Sequence, residues 1–238
     1  MTILYVFPHP DDESFGPAPA LAKQRRQGHE VHLLTLTRGE ATSQRHKYGY
    51  SKREMAEVRY EEMQKMADVL DLSGLTVLDF PDGRLADLDP RSLEAAVEKQ
   101  LRAVEPQVVV TYAVHGVSGH LDHIVGHAVV KRAFCELRDD ASHLRRLAFY
   151  ALLPEADPDA CPSPARLNSE EDIDVVVEPE REDFDRAEAA LDCYATYQEV
   201  VEENQPLRNA ERHGVCFEAF QASPRPRLPA LTENLSGS

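Results

Sequence analysis

The chain has 238 residues, enough for one α/β domain with a sizeable core, and its hydrophobic content of 42% is ordinary for a globular protein. Its formal net charge of −16 argues against nucleic acid and anionic membrane as main partners, because both are gripped through basic patches. No apolar run is long enough to span a bilayer and no secretory signal opens the chain; its four cysteines are widely spaced without a CxxC pair, so a cytoplasmic protein with unpaired thiols is expected.

Ile3-Leu4-Tyr5-Val6-Phe7 reads as a buried first strand. Pro8-His9-Pro10-Asp11-Asp12-Glu13 follows at once, a turn stiffened by two prolines. Carboxylates that leave a core strand need partners, and a bound divalent metal suits several together. His9 and Asp12 offer an imidazole nitrogen and a carboxylate oxygen, a donor set fit for zinc, and Asp11 is left over as a base. The bland alternative is an acidic turn that caps the next helix. That helix spans residues 16–27, with Pro17 and Pro19 moving its firm start toward Ala20.

Residues 31–36 form a second strand, and Thr37-Arg38-Gly39-Glu40 leaves its C-terminal end. Residues 41–50 are a polar loop. Ser51 with Glu54 makes a capping box for a helix through Leu70, and Arg59 and Glu62 share a face of it at i, i+3. As a surface ion pair these two would contribute little. Residues 75–80 are a third strand closed by the Pro81-Asp82-Gly83 turn, and residues 92–104 a third helix capped by Asp89 or Ser92.

Residues 108–112 are a fourth strand, and four histidines follow it: His115, His120, His123 and His127. Two His/Asp clusters, each just past a core strand, are expected to meet in one crevice, because ligands of open parallel sheets bind at that edge. A helix over residues 121–137 and a strand over 147–152 come next. A loop rich in proline and aspartate follows Pro154 to about residue 172, then an edge strand at 173–177 and a charged, solvated helix at 180–198. A late strand at 215–220 ends a single domain of residues 1–221, and residues 222–238 read as a flexible tail. Alternating strands and helices give a Rossmann-like, doubly wound, mostly parallel sheet with helices on both faces and the strand order 3-2-1-4-5. No GxGxxG or P-loop is present, which argues against a dinucleotide or NTP enzyme.

His9-Pro10-Asp11-Asp12-Glu13 together with Gly119-His120-Leu121-Asp122-His123 resembles the LmbE-like, or PIG-L, family of metal-dependent deacetylases of N-acetylglucosamine compounds. Weaker matches are residues 37–40, Arg59 with Glu62, and residues 81–83. The resemblance implies that His9, Asp12 and His123 hold Zn2+ or another divalent metal, that Asp11 is the general base, that His120 stabilises the oxyanion or protonates the leaving amine, and that Asp122 orients a histidine. It also implies substrate contacts from Arg59, Asp82 and Glu40. Glu13 would brace the turn, and His127 or His115 is an open candidate for a further ligand. Leu121 stands where the family has proline, and the glycine pair usual after the first motif is replaced around Pro17-Ala18-Pro19. The implied partner is a small-molecule N-acetyl amino-sugar conjugate, with self-association open. An anionic conjugate would draw on Arg38, Arg45, Lys47, Lys52 or Arg59 at the mouth of the site. The rival functions are a metal-dependent phosphoesterase, which would more often hold two metals, and a non-catalytic metal- or sugar-binding protein, which has no use for Asp11.

Overall fold

In the computed structural model, which describes residues 1–154 and 165–235, the first strand sets the layering. β1 (Thr2–Phe7) turns Ile3, Tyr5 and Phe7 to one core and Leu4 and Val6 to another, so both faces of the sheet are covered. A strand buried on both faces reads as a continuous apolar run rather than an alternation, which is why the pattern was legible. On the first face lie α1 (Ala18–Arg26), α2 (Lys52–Val69) and α6 (Arg181–Asp192), through Leu21, Met63, Met66, Ala187 and Ala190. On the second lie α3 (Pro90–Val104) and α5 (Leu121–Leu137), through Leu93, Val97, Leu101, Val130 and Ala133.

The remaining strands are β2 (Glu30–Thr37), β3 (Gly74–Phe80), β4 (Val108–Tyr112), β5 (Arg146–Ala151), β6 (Val175–Val177) and β7 (Val215–Ala219). The seven-stranded order is β3-β2-β1-β4-β5-β7-β6. β1 pairs in parallel with β2 (Ile3 opposite Val31) and with β4 (Ile3 opposite Val108), so the chain reverses its winding between β1 and β4. The turns after β1 and β4 therefore emerge side by side, as the order 3-2-1-4-5 requires. β7 pairs antiparallel with both β5 and β6.

Ser51 and Glu54 form the expected capping box, and Asp89 caps α3 through the Arg91 N–H. Two expectations change. The charged helix stops at Asp192 instead of reaching residue 198, and it is not purely an outer face: Asp183 is buried and holds Arg26, while Tyr194 turns into the core. A short turn (Ala195–Tyr197), α7 (Gln198–Asn204) and α8 (Arg208–His213) complete that stretch. The tail is not loose through residue 235. Leu228 exchanges backbone hydrogen bonds with the β6 edge, Leu231 is buried, and Arg146 donates to the carbonyls of Leu231 and Glu233. Most of the expected loop after Pro154, with Cys161, and the last three residues of the tail lie outside the described residues.

Candidate active site

The turn after β1 is held by its own carboxylates. Asp12 accepts the backbone N–H of His9 at 2.8 Å through Oδ2, and through Oδ1 the hydroxyl of buried Tyr112 at 2.8 Å, from the last residue of β4. Asp11 takes a left-handed backbone, φ 82°, a conformation aspartate tolerates better than most residues. Its carbonyl accepts from Ser14 and Phe15, which closes the turn. Glu13 is wholly buried and accepts from Ser14 and Tyr194, so it braces the turn from behind.

The second cluster starts in α4 (Gly116–Gly119), a single distorted turn. Val117 sits at φ 59°, a costly conformation for a β-branched residue. The turn aims the Gly116 carbonyl at Nδ1 of His123, 2.9 Å away. With Nδ1 carrying the proton, the His123 Nε2 lone pair faces the cleft, 3.1 Å from His9 Nδ1 and 3.3 Å from Asp12 Oδ1. The opposite nitrogen of His9 lies 3.3 Å from Asp122 Oδ2 and 3.2 Å from Asp82 Oδ1. Asp122 is fixed in turn by the N–H groups of Gly83 and Leu85. Each imidazole thus has one nitrogen anchored and the other aimed at Asp12, an arrangement that sets the tautomer of a ligating histidine.

Electrostatics follow from this packing. Burial works against charge on His9, but Asp12, Asp122 and Asp82 outweigh it and hold its pKa well above the ordinary value. Burial likewise opposes ionised Asp12, and the His123 and His9 rings outweigh it, so Asp12 stays far below the usual carboxylate range. Asp11 goes the other way: burial pushes it up to about 6, with the Arg59 guanidinium pulling down and neighbouring Asp12 pushing up. His120 lies at the exposed rim of the cleft, accepts the Asp122 N–H on Nδ1, and is held below the ordinary imidazole value by partial desolvation and then by the neighbouring His9 and His123 rings.

These groups line an open cleft of about 440 Å³ that also includes Thr42, Arg59, Asp82, Ser118, Tyr197 and Val200. Among the described residues, two groups have the spacing to hold a metal ion: His9, His120 and His123, and His9, Asp82 and Asp122. Asp12 adds its carboxylate to the first group at the distances given above. Zinc or a similar divalent ion fits this imidazole and carboxylate set, its charge taking the place of the proton that the carboxylates otherwise favour on His9.

Several expected contacts are redirected. Arg59 lines the cleft but is buried, donating to Asp11 Oδ2 at 2.7 Å and to the Pro10 carbonyl at 2.8 Å. It makes no ion pair with Glu62, whose carboxylate accepts from Thr196 instead. Glu40 accepts the Asp82 N–H, and Asp82 accepts the Ala41 N–H, so both carboxylates also stitch the rim loops together. His127 is buried against Phe149 with Nδ1 on the Tyr112 carbonyl, and half-buried His115 faces Asn168; neither belongs to a metal-spaced group. Of the cations expected at the mouth, Arg38 pairs with Asp79 and Lys47 with Glu199. Tyr112, Tyr194, Thr196 and Tyr197 join the site without having been expected there. The signal for the last three was the break Tyr194-Ala195-Thr196-Tyr197 inside a charged helical stretch.

Comparison with known proteins places the chain in a family. The profile of the PIG-L family, described as GlcNAc-PI de-N-acetylase, matches residues 4–134. A Kineococcus radiotolerans protein named 1D-myo-inositol 2-acetamido-2-deoxy-alpha-D-glucopyranoside deacetylase is 35% identical over 167 residues, 59% of this chain and 46% of that protein. The chain spans about half the length of the curated relatives it matches. Among solved structures, the 4-carboxy-2-hydroxymuconate hydratase of Pseudomonas putida KT2440 superposes with a TM-score of 0.74, covering 95% of this chain and 99% of that one; at 14% identity the likeness is one of fold alone. A conserved protein of Thermus thermophilus superposes with a TM-score of 0.65 at 27% identity, over 95% of each chain. The family profile covers more than half of the chain and contains both motifs, so the chain belongs to the PIG-L, or GlcNAc-PI de-N-acetylase, family.

Proposed function

We propose that the protein is a metal-dependent N-deacetylase that hydrolyses the acetamide of an N-acetylglucosamine-type conjugate. The observation that carries the reading is the convergence of His9 Nδ1, Asp12 and His123 Nε2 at 3.1–3.5 Å, with both imidazoles anchored through their other nitrogens and Asp11 beside them. Three protein donors at the foot of an open cleft leave room for water and substrate, the pattern of a catalytic rather than a structural site. A divalent ion held there, zinc by its donor set, supplies Lewis-acid activation of water and of the acyl carbonyl.

The chain's own groups do the rest. Asp11, oriented by Arg59, takes the proton of the attacking water and is the source of the proton that leaves with the amine. His120 accepts on Nδ1, so in its neutral form it offers Nε2–H to the developing oxyanion. Asp122 and Asp82 keep the His9 proton on Nε2. The relatives named as deacetylases of acetamido sugars support this substrate class.

The phosphoesterase reading is less well supported. The second metal-spaced group shares His9 with the first and would need its Nε2, the nitrogen that Asp122 and Asp82 hold. One metal per chain is therefore expected by elemental analysis. Acetate release from a panel of N-acetylglucosaminyl conjugates, lost on chelation and restored by metal, tests the activity. Stoichiometric metal without acetate release from any conjugate would return the chain to the binding-protein reading.

A further inference from the structure

Arg59 and Glu62 share a face of α2, and each receives the same short segment from the far end of the chain. Glu62 accepts the Thr196 N–H and the Thr196 hydroxyl, both at 2.8 Å. The Tyr197 ring covers the Arg59 guanidinium at 3.9 Å, and the Tyr194 ring lies 5.9 Å from it. Tyr194 also donates to Glu13 at 2.6 Å, and Tyr197 donates to Thr42 at 2.6 Å. All of these tyrosine and threonine contacts come from residues 194–197, outside the matched stretch of residues 4–134.

The Arg59 side chain is long and has many rotamers; its Nη2 donates to Asp11 and the Pro10 carbonyl, and its Nε is buried without a partner among the described residues. What confines it is packing. Gly39 approaches so closely that a Cβ there would lie 3.2 Å from Arg59 Cδ and Nε. Tyr197 supplies an aromatic face to the guanidinium, an attraction that strengthens when water is excluded. Asp11, at φ 82°, depends on this guanidinium for its side-chain anchor.

We propose that Tyr197 is a positioning residue: it clamps Arg59 onto Asp11, so the turn between α6 and α7 belongs to the catalytic apparatus. This rests on the reading of Asp11 as the base. Tyr197 also lines the cleft with Val200, so the rival role is a wall that touches substrate directly.

The test compares Tyr197→Ala, Tyr197→Phe, Asp11→Asn and the Asp11→Asn/Tyr197→Ala double variant of the full chain. The readouts are metal content and acetate release from methyl N-acetyl-α-D-glucosaminide or another conjugate that the wild type hydrolyses. Tyr197→Ala is expected to keep its metal and to lose about 10–100-fold in kcat, as displacement of a catalytic group by an ångström does, with KM nearly unchanged. Tyr197→Phe, which keeps the ring, recovers most of that loss. In the Asp11→Asn background Tyr197→Ala has no further effect, because both changes disable one unit. A rise in KM alone, or additive losses in the double variant, would overturn the proposal. Normal turnover by Asp11→Asn would instead remove the base reading. The crystal structure of Tyr197→Ala decides the clamp independently of any substrate: the guanidinium is expected to leave Asp11, and an intact Arg59–Asp11 bond refutes it.

Discussion

His9 and His123 make the same offer to the cleft by different means. His9 is anchored on two carboxylates, Asp82 and Asp122, themselves tied to backbone N–H groups of the 81–85 turn and the rim. His123 is anchored mainly on a backbone carbonyl, that of Gly116 at 2.9 Å, presented by a strained turn, with the Ser118 hydroxyl 3.3 Å from the same nitrogen. The difference teaches where the site stores its charge and where it stores its strain. The His9 side is adjustable by side-chain chemistry, since its anchors are ionised groups that raise the basicity of the ring. The His123 side is set chiefly by backbone shape, with the Ser118 hydroxyl as its one side-chain neighbour on Nδ1 among the described residues.

The largest effect is expected from deleting a metal donor itself, either Asp12, which faces both rings, or His123. Asp12→Ala or His123→Ala loses bound metal and activity together, measured by elemental analysis and acetate release; full metal occupancy in either variant would break the ligand assignment. Asp11→Asn comes next. It removes a base and not a donor, so metal is retained while turnover falls about 10²–10⁴-fold. Near-normal turnover would point to another base.

The two anchors are then separated directly. Asp122→Asn weakens the His9 side and is expected to lower metal affinity about 10–100-fold, as loss of a ligand's outer hydrogen bond typically does. On the other side, Gly116→Ala places a Cβ 2.8 Å from the His123 Cβ at a backbone φ of +68°, so the ring must shift. Titration with zinc should show both variants weakened, with full affinity in Gly116→Ala overturning the strain half of the comparison.

The smallest effect concerns Glu13, a buried carboxyl with no histidine partner. Burial pushes its pKa up to about 7 from an ordinary 4.5. Below pH 4.5 both folded and unfolded chains are protonated there, and the raised pKa contributes its full stability; that contribution is lost as pH rises to 7, because the unfolded chain ionises first. Glu13→Gln should therefore change little at pH 5 and stabilise the metal-free protein at pH 8 by roughly 1–3 kcal/mol. Thermal unfolding at the two pH values checks this, and equal shifts at both would mean that ionisation of Glu13 costs nothing.

Much of this was legible early for a local reason. A core strand in a doubly wound sheet is apolar on both faces, so β1, β2 and β4 are visible as runs, and the chemistry sits in the turns that leave them. The capping box at Ser51 and Glu54 is equally local, needing only three residues of separation. The alternation of strand and helix set the fold class and brought His9 and His123 to one edge.

Other features depend on distance in space. Sequence shows that Arg59 and Glu62 share a helix face, but not that the face is turned inward to receive Thr196 and Tyr197, more than 130 residues later. It shows acidic residues at 40 and 82, but not that they stitch two rim loops. It reads proline-rich residues 222–238 as loose, whereas Leu228 and Leu231 find partners on β6 and in the core. The chain alone determined which groups exist and at which strand ends they emerge, because backbone periodicity and turn chemistry are local. Whether a charged side chain faces substrate or another charge was decided by tertiary packing, since burying an arginine or a carboxylate is tolerable only beside a partner that the fold itself must deliver.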